Sequence, residues 1–300
     1  MKRLRQLLIQ ENIAFEDGCL LSRHSSFRIG GPATLAVFPG TREALVTVLS
    51  ELALRELRHT VIGNGSNVLF SDAGYDGVVV FTGGWKETVR NDTELCASAG
   101  VSLLSLSRMA LEASLSGLEF AYGIPGTLGG AVLMNAGAYG GEIASVCVES
   151  EYFDAETQTV ATFYGAAQKF GYRTSIYETH PRYTVLGAKL VLKNDTRDAI
   201  FARMEDCMSR RKGKQPLELP NAGSIFKRPD GCFAGKLIED CGLKGYRIGG
   251  AEVSEKHAGF IVNRGGATAS DVCALIEHIR SRVLSEFGVE LECEIRLIGE

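Results

Sequence analysis

Two stretches of this 300-residue sequence carry glycine spacing that suits a phosphate ester. Gly63-Asn64-Gly65-Ser66-Asn67-Val68 follows a short β-branched run, and Gly123-Ile124-Pro125-Gly126-Thr127-Leu128-Gly129-Gly130 lies in a glycine-rich block. Such turns expose successive backbone N–H groups with little side-chain bulk, which is how a protein cradles a pyrophosphate without Lys or Arg. Tight connections between elements are the plainer reading of the same residues. The familiar nucleotide fingerprints both fail. Val68 stands where a dinucleotide fold needs Gly or Ala, and Gly231-Cys232-Phe233-Ala234-Gly235-Lys236-Leu237 is one residue short of a P-loop and lacks its Ser/Thr.

Other reactive side chains suggest less. Eight cysteines without a C-x-x-C pair read as reduced core thiols. Five histidines show no helical pairing, so no metal is expected. Glu290, Glu292 and Glu294 alternate with apolar residues in a strand predicted over Val289 to Leu297, which reads as a solvated face. Arg210-Arg211-Lys212-Gly213-Lys214 ends a predicted helix, where cations complement the dipole.

The elements that must position these groups follow from the apolar periodicity. Leu35 to Phe38, a helix from Thr41 with Leu45, Val48, Leu49 and Leu52 on one stripe, and Thr60 to Ile62 form a β-α-β rhythm, followed by the run Val78 to Phe81. Strands are predicted over Leu95 to Ala99, Cys147 to Phe153, Gln158 to Phe163 and Tyr183 to Leu192, with a helix over Ser102 to Ser116. A charged stretch from Lys193 to Asp198 reads as a boundary, before a helix with Ile200, Phe201, Met204, Cys207 and Met208. Thr268-Ala269-Ser270-Asp271 opens a last helix that Gly288 stops. The class is α+β.

Composition excludes several functions. At 45% hydrophobic the chain buries a large core and is no disordered tail, and its net charge of −4 offers no field for nucleic acid or an anionic membrane. The apolar run Leu7 to Ile9 is too short for an export segment, so a cytoplasmic chain is expected. Phe120 to Gly141 lacks charge, but its glycines and Pro125 argue for loops rather than a membrane span. The 35 glycines exceed the usual share of roughly 7%.

Taken with Ser25-Ser26-Phe27-Arg28-Ile29-Gly30-Gly31-Pro32 and Asn135-Ala136-Gly137-Ala138-Tyr139-Gly140, the two glycine turns resemble the FAD-binding fold of the vanillyl-alcohol-oxidase type. Tyr172-Arg173-Thr174-Ser175, Asn221-Ala222-Gly223-Ser224-Ile225-Phe226-Lys227-Arg228-Pro229 and Glu292-Cys293-Glu294-Ile295-Arg296 resemble, within that group, the UDP-N-acetylenolpyruvoylglucosamine reductase family. The likeness runs from about residue 20 to the C-terminus. Only Lys193 to Arg197 separates the Tyr183 to Leu192 strand from the next helix, so the chain resembles the short form, without the extra tyrosine segment.

The resemblance implies an FAD-binding region over 1–195, with subdomains of about 1–85 and 86–195, and a substrate domain over 196–300. It implies FAD, held non-covalently although His24 lies near the first segment, with NADPH as hydride donor. The implied FAD contacts are Ile29, Gly30, Gly31, Gly63 to Val68, Gly123, Ile124, Pro125, Gly126, Thr127, Gly129, Gly130, Asn135, Gly137 and Ala138. The implied substrate is UDP-N-acetylglucosamine enolpyruvate, bound by Tyr172, Arg173, Lys214, Ser224 and Arg228; the peptidoglycan precursor UDP-N-acetylmuramate is the product. In this chemistry hydride passes from NADPH to FAD and then to the vinyl carbon, and a proton joins the carbon bearing the carboxylate. Arg173 would stabilise the enediolate-like charge, Ser224 would donate the proton, and Glu294 would assist as a protonated or donor-bonded carboxyl. No nucleic acid, membrane or obligate protein partner is implied. Competing readings are an oxidase or dehydrogenase of the same fold, or a non-catalytic flavin-binding module.

Overall fold

The β-α-β rhythm near the N-terminus folds as its pattern demands. In the computed structural model, which describes residues 1–299, Ala33–Phe38 and Tyr75–Phe81 are neighbours in a four-stranded sheet. Ala14–Asp17 lies antiparallel on one side and His59–Ile62 parallel on the other. The helix Arg42–Leu54 starts where the Thr41 hydroxyl accepts the Ala44 N–H, and it buries Leu45, Val48, Leu49 and Leu52 with Leu35, Val37, Val78 and Val80.

A second core forms under a five-stranded antiparallel sheet in the order Thr159–Tyr164, Cys147–Asp154, Tyr183–Val191, Glu94–Ser98 and Thr88–Asn91. The helices Leu103–Glu112 and Leu128–Met134 pack their apolar faces into it. A third core joins the sheet Asn221–Ser224, Phe260–Asn263, Ala251–Val253, Arg247–Ile248 to the helices Ala234–Asp240 and Ala269–Phe287. Mixed helix and strand in each core is the expected α+β class, and among the described residues no helix is long and apolar enough to cross a membrane.

The compact units of the chain are discontinuous in sequence. One unit holds Met1–Asp17, Leu35–Asn64 and Gly77–Arg210; the other holds Gly18–Thr34, Gly65–Asp76 and Arg211–Glu300. The reason lies in pairing and packing. Val68–Phe70 runs parallel to Arg296–Ile298, and Phe27, Ile29 and Leu69 are buried in the third core, so both N-terminal stretches belong to the second unit. The first part of the helix Arg197–Lys214 belongs to the first unit, because Ile200 and Met204 pack on Leu111.

Two predicted elements are shorter than expected. The helix expected to reach Ser116 stops at Glu112, since Ser114 turns left-handed at φ 56° and Leu115–Ser116 pairs with Lys193–Asn194. Of the strand expected over Val289 to Leu297, only Arg296–Ile298 forms. Before it, the N–H groups of Glu294 and Ile295 both point at the Ile225 carbonyl, which breaks the regular ladder.

Arg203 ties its helix to the first unit by reaching both Glu119 and Asp195. Burial pushes the Glu119 carboxyl up, but the backbone N–H groups of Glu119 and Gly117, with Arg203 and Ser116, outweigh it and hold the group below its ordinary value. The Arg203 hydrogen bond likewise lowers Asp195. A depressed carboxylate stabilises the fold above its unfolded pKa and loses that contribution as pH falls through the folded one. Arg203→Ala should therefore lower the thermal midpoint at neutral pH, and the gap from the parent protein should close below about pH 4. A gap independent of pH would assign the effect to packing alone.

Candidate active site

Arg173 sits in a strained turn that aims its side chain. Its backbone is left-handed at φ 54°, a conformation that costs a non-glycine residue about 1 kcal/mol or more, and Gly171 and Thr174 bridge across it. Asn135, itself left-handed and buried, donates from Nδ2 to the Gly171 carbonyl at 2.9 Å and accepts the Ala144 N–H at 2.9 Å. The Arg173 guanidinium donates to the Gly137 carbonyl at 3.2 Å and lies 5.3 Å from the centre of the Tyr172 ring. The predicted segments 135–138 and 172–175 thus form one hydrogen-bonded assembly in the first unit.

The glycine turns fit a bound dinucleotide. A Cβ at Gly63 would stand 2.2 Å from the Thr127 hydroxyl oxygen, so only glycine fits opposite that threonine. Thr127 is buried at 1% exposure, and its Oγ1 has no hydrogen-bond partner among the described residues. A buried orphan hydroxyl costs on the order of 1–3 kcal/mol, which a ligand acceptor would offset. Asn64 steadies the same loop by donating from Nδ2 to the Pro125 carbonyl at 3.0 Å. In the second unit, the N–H groups of Gly65, Ser66 and Asn67 meet no protein acceptor among the described residues. Both turns therefore present donors suited to FAD.

Thr127→Val tests this fit without an activity assay. Removing the hydroxyl at constant shape should weaken FAD binding to the apoprotein about tenfold while leaving the apoprotein as stable as before or slightly more so. Unchanged affinity in a flavin fluorescence titration would sink the assignment.

Not every predicted contact is available in the expected way. The Ile29 side chain is buried in the third core, so only its backbone can reach a ligand. The N–H of Gly31 is held by the Ser71 carbonyl at 2.9 Å, and that of Gly129 by the Ala99 carbonyl at 2.9 Å. Their glycines have another cause: a Cβ would come within 2.2 Å of the Asp72 carbonyl at Gly31 and within 2.8 Å of Ala99 Cβ at Gly129. Gly30 meets Phe70 in the same way.

Ser224 and Glu294 lie in the second unit on backbone segments that are hydrogen-bonded through Ile225. Asn221 pairs with Val262 and Ser224 with Phe260, so one extra residue bulges between them and re-aims the following side chain. Gly223 makes this possible at φ 80°. The next residue, Ile225, accepts the Glu294 N–H at 2.7 Å, and Phe226 pairs with Cys293. Glu294 is half-buried, whereas Glu290 and Glu292 are exposed, so the three carboxylates do not share one solvated face. Arg228 is exposed and stacks over the Phe233 ring at 4.0 Å; Lys214 is exposed at the end of its helix.

Two residues of this neighbourhood carry a larger role than their sequence context suggested. The Asn221 side chain accepts the Gly223 N–H at 2.9 Å and donates to the Leu219 and Pro216 carbonyls, and the Ser26 hydroxyl donates to the Asn221 carbonyl at 2.7 Å. An Asn two residues before a glycine is a legible turn signal. The Ser26 contact spans 195 residues of chain and has no local signature.

The architecture recurs in known proteins. Residues 33–162 match the FAD binding domain family, and residues 215–298 match the C-terminal domain of UDP-N-acetylenolpyruvoylglucosamine reductase. The reductase of that name from Caldanaerobacter subterraneus subsp. tengcongensis is 47% identical over 280 residues, covering 93% of this chain and 92% of its own. The chain belongs to the UDP-N-acetylenolpyruvoylglucosamine reductase family. The reductase from Geobacillus thermodenitrificans is 45% identical over 97% of this chain and 94% of its own. A crystal structure of the reductase from Thermus caldophilus superposes with a TM-score of 0.80 at 35% identity, covering 95% of this chain and 98% of that one. As a member of this reductase family, the chain is a flavin-dependent oxidoreductase whose cofactor is FAD.

Proposed function

We propose that the chain reduces UDP-N-acetylglucosamine enolpyruvate to UDP-N-acetylmuramate with electrons from NADPH, a step of peptidoglycan precursor synthesis in the cytoplasm. The observation that carries this reading is the bulged Ser224 turn, held against the backbone of Glu294, in a chain whose relatives are named for that substrate. FAD, when bound, supplies a two-electron relay that takes hydride from NADPH and passes it to the terminal vinyl carbon.

The protein's own groups manage the charge and the proton. As hydride arrives, negative charge spreads onto the substrate carboxylate, and the Arg173 guanidinium stabilises it by paired hydrogen bonds. The Ser224 hydroxyl donates the proton to the carbon bearing that carboxylate, a strongly basic acceptor once charge has built up. Glu294 assists from the half-buried position beside the same turn. Tyr172 lies against the substrate, and Lys214 and Arg228 hold its diphosphate as point charge and fork respectively.

An anaerobic absorbance experiment tests the proposal. NADPH should bleach the flavin bands of the holoprotein, and UDP-N-acetylglucosamine enolpyruvate should restore them without oxygen. Flavin that bleaches but recovers only in air would leave the FAD-binding reading in place and remove the substrate.

A further inference from the structure

The turn that presents Ser224 is hydrogen-bonded to the second half of the Gly63-to-Asn67 turn, and the link runs through one hydroxyl. Ser26 donates its N–H to the Gly65 carbonyl at 3.0 Å and its O–H to the Asn221 carbonyl at 2.7 Å. Gly65 must be glycine for this approach, since a Cβ there would stand 2.1 Å from the His24 carbonyl. Asn221 passes the constraint on: its side chain fixes the Gly223 N–H, and Ser224 follows directly on the bulge. A parallel link serves Glu294, whose carbonyl accepts from Asn67 Nδ2 at 3.1 Å, while the Asn67 carbonyl accepts the Arg296 N–H at 3.1 Å. Both groups assigned to proton handling are thereby registered on the stretch Gly65 to Asn67, all within the second unit.

We propose that Ser26 is a positioning residue for the reduction of substrate: its hydroxyl sets the Ser224 turn at a fixed distance from the glycine turn that receives the cofactor. The inference rests on the reading of Ser224 as proton donor. Ser26 has no role in taking hydride from NADPH, so its loss separates the two half-reactions. A displacement of the order of 1 Å in a reacting group costs up to about a hundredfold in rate.

The test is stopped-flow absorbance on the holoenzyme, with each half-reaction measured alone. Ser26→Ala should retain FAD and be reduced by NADPH at a rate within about twofold of the parent, while reoxidation by UDP-N-acetylglucosamine enolpyruvate slows about ten- to hundredfold at saturating substrate. Ser26→Thr, which keeps the donor, should restore reoxidation. Ser26→Cys keeps the volume, weakens the donor and should behave as the Ala variant does. Ser26→Ala added to Ser224→Ala should slow reoxidation no further, because the positioned group is already gone. If Ser224→Ala slows reoxidation while Ser26→Ala does not, the positioning role fails alone. Equal slowing of both half-reactions by Ser26→Ala, or no recovery with Ser26→Thr, overturns it too. Undiminished reoxidation by Ser224→Ala removes the proton-donor reading and this inference with it.

Discussion

Ser224→Ala should leave the flavin fully reducible by NADPH and slow its reoxidation by the enolpyruvyl substrate by about 10²- to 10⁴-fold, the range a positioned proton donor contributes. The structure makes the variant informative because little else depends on the hydroxyl. The turn is held by backbone pairing of Ser224 with Phe260, by the Gly223 N–H on the Asn221 side chain and by the Glu294 N–H on the Ile225 carbonyl, none of which uses the serine side chain. The variant should therefore fold and bind FAD as the parent does. A serine hydroxyl is a weak acid, and it can act only on a carbon made strongly basic by hydride addition, so the loss should appear in reoxidation alone. Equal loss in both half-reactions would point to a damaged fold, and unchanged reoxidation would assign the proton to another group.

Arg173→Lys should cost nearly as much as Arg173→Ala in the same half-reaction, about 10²- to 10³-fold, or about 3–4 kcal/mol of transition-state stabilisation. A planar guanidinium offers paired donors that match both carboxylate oxygens, whereas an ammonium offers a point charge. The left-handed turn at Arg173 is common to both side chains, so backbone strain does not distinguish them. The Arg173 donor on Gly137 links the guanidinium to the assembly around Asn135, and this orientation is what lysine cannot reproduce. Single-turnover reoxidation across substrate concentrations checks the claim: the limiting rate should fall while reduction by NADPH stays intact. A lysine variant with full activity would show that charge alone suffices there.

Much of the scaffold was legible because its signals are local. The last helix illustrates this: Thr268 accepts the Asp271 N–H, Asp271 returns to the Thr268 N–H, Val272, Leu275, Ile276, Ile279 and Val283 fall on the buried stripe, and Gly288 ends the helix at φ 67°. Each of these is settled within a few residues. The strand predicted through Glu294 shows the limit. Strict alternation argued for a regular solvated face, yet the backbone there bonds to the Ile225 carbonyl 69 positions earlier by chain number, and Glu294 is half-buried.

What the sequence by itself determined is therefore the set of parts: most of the elements, the glycine turns and, through resemblance, the family. Only the tertiary structure decided which parts belong together. It placed 18–34 and 65–76 with the C-terminal unit, set Gly63 opposite Thr127, and joined Ser26 to Asn221. It also showed that Gly31 and Gly129 serve close packing, with their N–H groups already bonded. The physical reason is range. Periodicity, capping and turn chemistry act over a few residues, whereas a contact between distant segments depends on how whole cores bury their apolar faces, and no short window of sequence contains that information.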